Sequence, residues 1–156
     1  MKEKTITVKQ VEQKLKQYCA YQERCHAEVK EKLYGFGLHR QEVEDIICTL
    51  IADNYLNEER FAIQFAGGKF RVKKWGKRKI SYELKSKQIS AYCIKKALQA
   101  IDETDYFKTA QTLLEAKQRL LGTSGNVLVR KKKLQDYLYM KGYESVLIYD
   151  LLKGIK

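Results

Sequence analysis

Proline does not occur once in the 156 residues, so no segment carries a built-in helix breaker and the stop signals left are glycines. Gly35, Gly37, Gly122, Gly125, Gly142 and Gly154 stand where helices would end. Strand-like alternation is confined to short pieces such as Thr5 to Val8 and Asn126 to Val129, too little for a sheet. An all-α chain follows. Cysteine and histidine are sparse: Cys19, Cys25, Cys48 and Cys93 form no CxxC pair, and His26 and His39 have no finger-like spacing. That excludes a disulfide framework and a structural zinc site, and leaves the thiols as buried apolar groups. Cys25 adjoins His26, but neighbouring helix residues diverge by about 100° and rarely serve one nucleophilic site. No run approaches the roughly 18 apolar residues of a membrane span, and the opening MKEKTITVKQ has no signal-like apolar region. A cytoplasmic protein is expected. The chain also lacks a GxxxxGK[ST] loop, a nucleophile elbow and a His/Cys/Asp ligand cluster, so no enzyme chemistry, cofactor or metal is expected.

Acid is scarce in one place above all. Between Lys69 and Lys87 there are nine bases (Lys69, Arg71, Lys73, Lys74, Lys77, Arg78, Lys79, Lys85, Lys87) and one acid, Glu83. Of the formal charge of +12, residues 1–60 contribute −1, residues 61–101 contribute +10 and residues 102–156 contribute +3. Such a stretch seeks a polyanion. Tyr55, Phe61, Phe65, Phe70, Trp75 and Tyr82 interleave with it, a mixture able to track phosphates while offering rings to bases or apolar pockets.

Helical spacing of apolar residues predicts a first helix over 8–20 with Thr7 as cap, a second over 24–34, and a third over 40–54. Leu33, Leu38, Val43, Ile46, Ile47 and Leu50 then recur 51 positions later as Leu84, Ile89, Ile94, Ala97, Leu98 and Ile101, and after 54 more as Leu138, Tyr143, Ile148, Leu151, Leu152 and Ile155. The preceding-turn partners Val29, Ile80 and Leu134 recur with them, and Tyr55 matches Tyr106. A period near 50 means tandem helical units. Three three-helix repeats are expected, at 1–54, 55–102 and 103–156, each a long helix and two shorter ones, forming an elongated, curved array. Their internal turns fall at 34–38, 86–89 and 140–143, and Asn57, Ser90 and Thr104 are expected caps.

Tyr55-Leu56-Asn57-Glu58-Glu59-Arg60-Phe61-Ala62, the bases after it, and Gly76 with Ile80, Glu83, Leu84 and Lys85 resemble the RecX family, bacterial regulators of the RecA recombinase. The resemblance extends over nearly the whole chain through the repeat, and Lys141-Gly142-Tyr143 is similar to the family's lysine-glycine-apolar turn. Two positions depart from it: Lys77 stands where the family often has proline, and Gln88 where it often has glycine. The resemblance implies a protein that lies in the groove of the RecA nucleoprotein filament, lowers ATP hydrolysis and strand exchange, and blocks filament extension or favours disassembly.

Arg60, Arg71, Lys73, Lys74, Lys77, Arg78 and Lys79 are the candidate contacts to RecA or DNA, with Arg130, Lys131, Lys132 and Lys133 as a second patch. Arginine carries most weight, because its planar fork pairs with phosphate or carboxylate at two points. Arg60 has a local alternative, an ion pair with Glu58 or Glu59. Trp75 reads either as core between repeats or as a docking anchor. The partners expected are the RecA filament and, weakly and without specificity, single- or double-stranded DNA, met by a monomer. A free-standing DNA-binding module and a hydrolase using Cys25 and His26 are the competing readings.

Overall fold

The computed structural model describes residues 6–155, and these form nine α-helices with no strand. They are α1 Val8–Tyr21, α2 His26–Gly35, α3 Arg40–Ala52, α4 Glu58–Gly68, α5 Lys77–Ser86, α6 Ala91–Gln99, α7 Glu103–Leu121, α8 Val127–Lys141 and α9 Ser145–Leu152. Thr5 lies outside the described residues, and Val8 opens α1.

Side-chain caps set most of the starts. Thr7 Oγ1 accepts from the Gln10 amide at 3.2 Å while Gln10 Oε1 accepts from the Thr7 amide at 3.0 Å, a reciprocal box that satisfies two otherwise free donors. Asn57 and Ser90 cap α4 and α6 as expected, accepting from the amides of Arg60 and Cys93. Thr104 does not cap α7. The cap is Asp102, whose Oδ1 accepts from the Asp105 amide at 2.9 Å, because the chain leaves the core right after buried Ile101 and a carboxylate there also meets the positive helix end. Likewise α2 starts at His26 rather than Arg24, with Cys25 in the cap position. Asn126 to Val129 is no strand: Asn126 Oδ1 accepts from the Leu128 amide at 2.7 Å and starts α8. The first helix of each group is its longest, although α1 with 14 residues barely exceeds α3 with 13.

The apolar register holds in three dimensions. Leu33, Leu84 and Leu138 are fully buried, as are Val29, Ile80 and Leu134. After each of those leucines the chain turns through one left-handed residue at the same register position: Gly37, Gln88 and Gly142.

The buried side chains divide into two cores. One joins Val11, Leu15, Leu33, Val43 and Leu50 from α1–α3 and closes on Leu56. The other runs continuously from Phe61 to Ile148, so α4–α6 and α7–α9 share one interior, which α2 enters only through Cys25 at its cap and the partly buried Ala27. The exposed surface is 10545 Å², against roughly 8,100 Å² for a compact monomer of this mass. The array is elongated.

Candidate nucleic-acid interface

The last turns of α4 do not stop at Gly68. Lys69–Lys73 continue as a π-helical turn and end on Lys74 in the left-handed conformation, φ 60°. Phe70 is buried while Arg71, Val72, Lys73 and Lys74 face solvent. The wider turn thus keeps one aromatic anchored and presents the bases between anchors.

After Trp75 the chain meets the turn between α8 and α9 backbone to backbone. The Gly76 amide donates to the Lys141 carbonyl at 2.7 Å and the Arg78 amide to the Gly142 carbonyl at 2.9 Å. A Cβ at Gly76 would overlap the Gly142 carbonyl and the Tyr143 nitrogen, and one at Gly142 would overlap Lys79. Both glycines are required by close approach. Tyr143 Oη donates to the Lys74 carbonyl at 2.9 Å. The Lys77 amide, a donor that proline would lack, reaches Tyr106 Oη at 2.9 Å, and that hydroxyl donates in turn to Glu144. Phe70, Tyr106 and Tyr143 form a row, with ring centroids 5.8 and 5.2 Å apart. Burial, with the Glu144 carboxylate, pushes both tyrosine hydroxyls well above their usual pKa. They stay protonated donors.

The candidate bases separate into those facing outward and those with internal partners. Arg71, Lys73 and Lys74 are exposed, the Lys74 ammonium also donating to the Arg71 carbonyl at 2.7 Å. Arg71 and Lys74 line a groove of about 360 Å³ whose other wall is Lys108, Asp105 and Leu113 of α7, floored by Phe70. Lys79 and Lys69 lie 4.6 and 5.0 Å from the Trp75 ring centroid, within cation–π range, and Trp75 packs against the second core. Lys77 sits 4.8 Å from the Tyr106 ring centroid. Arg78 stacks 3.9 Å over the Tyr139 ring and donates to the carbonyls of Tyr139 and Tyr143 at 3.3 and 3.4 Å. Arg60 donates to Glu23 and to Asn54, not to Glu58 or Glu59. In the second patch, Arg130 braces the carbonyls of Ser124 and Gly125, both at 3.0 Å, Lys132 pairs with Asp136 at 3.0 Å, Lys131 is half-buried and Lys133 exposed.

The sequence reading left out Lys108, which the fold carries to the groove from α7. It also left out Tyr106 as a partner of the basic stretch, although its register match with Tyr55 marked it. Cys25 is fully buried, donates to Glu28 at 3.4 Å, and burial raises its thiol pKa. A thiol held protonated is a poor nucleophile. No group of metal-ligating side chains occurs among the described residues, and no helix there is long and apolar enough to cross a membrane.

Residues 57–98 match the family model described as RecX, second three-helix domain. The regulatory protein RecX of Thermotoga maritima is 31% identical over 136 residues, covering 86% of this chain and 78% of that protein. The regulatory protein RecX of Bacillus cytotoxicus is 28% identical over 139 residues, covering 89% of this chain and 51% of that protein, so the chain spans about half of that relative's length. The crystal structure of RecX from Lactobacillus salivarius superposes with a TM-score of 0.86 at 20% identity, covering 95% of this chain and 96% of that one.

Proposed function

The chain belongs to the RecX family, and from that premise we propose that it is a non-enzymatic cytoplasmic regulator of the RecA recombinase. It binds RecA and its nucleoprotein filament as a monomer of three helical units, divided near residues 54 and 102, and lowers ATP hydrolysis, strand exchange and filament extension. The observation that carries this reading is the exposed basic segment Arg71–Lys74, which lies inside the stretch matched by the family model and lines, with Lys108, one groove. Its bases face solvent and form no ion pair among the described residues, Asp105 lining the groove without pairing with any of them, so they lack the close counter-charge that Lys16, Arg60 and Lys132 receive. DNA phosphates or acidic side chains of the filament would provide it. With about six phosphates contacted, affinity for DNA would fall with a log–log salt slope of roughly −4 to −5.

The test is RecA's DNA-dependent ATPase on single-stranded DNA with this protein at well below one copy per RecA, repeated with Arg71, Lys74 and Lys108 changed to Glu. Arg78 is left intact because its guanidinium holds the α8–α9 turn. Inhibition by the native chain and loss of inhibition in the variant supports the reading. Unchanged ATPase beside tight, salt-sensitive binding to naked DNA would make the chain a free-standing DNA-binding module instead.

A further inference from the structure

The basic loop is held from outside itself. Locally the π turn closes through the Lys74 amide to the Phe70 carbonyl at 3.1 Å and the Trp75 amide to the Lys69 carbonyl at 3.3 Å. From Gly76 onward the local sequence offers little. No side chain of its own caps α5, and its first turn carries Lys77, Arg78 and Lys79 with no acid, three like charges facing the positive end of the helix. Lys74 adopts a left-handed conformation that residues other than glycine seldom take.

Each deficit is met by α7–α9. The amides of Gly76, Lys77 and Arg78 find acceptors in the Lys141 carbonyl, the Tyr106 hydroxyl and the Gly142 carbonyl. The carbonyl of left-handed Lys74 accepts from Tyr143 Oη. Glu144 accepts from Tyr106, which orients that hydroxyl so that its lone pairs face the Lys77 amide. A hydroxyl that donates to a carboxylate is also the better acceptor for the amide.

We infer that Tyr106, Tyr143 and Glu144 are positioning residues that fix the geometry of the Arg71–Lys79 loop, so that polyanion binding by the middle unit depends on side chains of the C-terminal one. The inference rests on the reading that this loop binds a polyanion. Preorganisation is what such contacts provide: a loop already in its bound shape loses no ordering entropy on binding.

The test uses the full chain and a fluorescein-labelled single-stranded oligo(dT) as probe. Tyr106→Phe keeps the ring and the packing of the Phe70–Tyr106–Tyr143 row but removes the hydroxyl. It should leave α1–α3 unchanged in hydrogen exchange, speed exchange of the Lys77 amide, and weaken oligo(dT) binding about three- to tenfold, the equivalent of one hydrogen bond. Glu144→Gln, which keeps an acceptor oxygen, should retain most of the affinity. Lys77→Pro removes the amide that Tyr106 serves and sets the first-turn φ directly, and Gly76 before it is already extended at ψ 166°. In that background Tyr106→Phe should have little further effect, a coupling that general loss of packing would not produce. Faster Lys77 exchange with native affinity, unchanged exchange, or a Tyr106→Phe effect undiminished by Lys77→Pro would overturn the inference. Charge reversal at Arg71 and Lys74 without loss of binding would instead overturn the reading on which it rests.

Discussion

The guanidinium of Arg60 is occupied on three sides. Its Nε pairs with Glu23, and its two terminal nitrogens reach Asn54 Oδ1 at 3.1 Å and the Asn54 carbonyl at 3.0 Å. It therefore ties the α1–α2 connection and the end of α3 to the start of α4. None of this was legible in the sequence, where the only acids in view are Glu58 and Glu59, because an ion pair spanning 37 positions leaves no local pattern. Arg60→Lys keeps the charge but cannot reach all three partners. It should lower stability by about 1–2 kcal/mol, since hydrogen bonds to charged groups contribute at that level; an unshifted urea midpoint would mean the fork adds nothing. His26 gives the second test at this scale. Burial, first of all, lowers its pKa below the ordinary value, with Glu58 opposing and Lys30 adding to the shift, and its Nδ1 is buried without a hydrogen-bond partner in the described structure. The native state thus holds the ring neutral while the unfolded chain protonates it below about pH 6.5. Its contribution is complete above that pH and declines as pH falls toward the lower, folded value. The stability difference between the native chain and His26→Gln should accordingly shift against the native chain between pH 7.5 and pH 5, measured by urea unfolding at both.

Elements were the most legible level. The apolar residues of the second and third helix of each group hold their spacing across three segments, because a buried stripe tolerates little else, and this located the turns at 34–38, 86–89 and 140–143. The caps at Thr7, Asn57 and Ser90 were visible for the same reason, as short polar side chains just ahead of a periodic run. The π turn at Lys69–Lys73 was not, since its hydrogen bonds span only one residue more than those of an α turn and a segment with one buried side chain, Phe70, fits either period. Which of the bases face outward was hidden too: composition marked the basic stretch, but the stacking of Arg78 on Tyr139 depends on a helix 61 positions away. The turns also expose a local misfit. Gly37, Gln88 and Gly142 have φ of 81°, 63° and 101°, so the middle turn asks of glutamine what the other two ask of glycine. A side chain with a Cβ gives up about 1–2 kcal/mol in that region. Gln88→Gly should raise stability by about 1 kcal/mol after allowing for the added freedom of the unfolded chain, or about 2–4 °C in Tm for a chain of this size. A lower Tm would show that the Gln88 side chain makes a contribution the turn geometry does not reveal.

At the scale of the whole molecule the repeat period suggests three equivalent units, and their buried side chains form two cores of unequal size. The first core ends at Leu56, and the second runs from Phe61 through Ile148 without a break. Equal periodicity in sequence did not reveal this, because a period reports which face of each helix is buried and not which neighbour covers it. The Gly76–Gly142 contact welds the middle and third groups through backbone. The first group, by contrast, meets the middle one largely through side chains: Arg60 with Glu23, Lys87 with Glu28 at 3.7 Å, and buried Cys25. Side-chain links between bodies break at lower free energy than a shared interior, so the two cores should open separately. Leu33→Ala and Leu84→Ala remove equally buried leucines, each at a cost of about 2–5 kcal/mol, and they distinguish the two arrangements. Leu33→Ala should speed hydrogen exchange in α1–α3 and leave α4–α9 protected, while Leu84→Ala should lower protection across α4–α9 together, the α7–α9 helices included. Uniform loss of protection in both variants would mean a single cooperative body, and the basic groove between the middle and third groups would then owe its shape to all nine helices rather than to six.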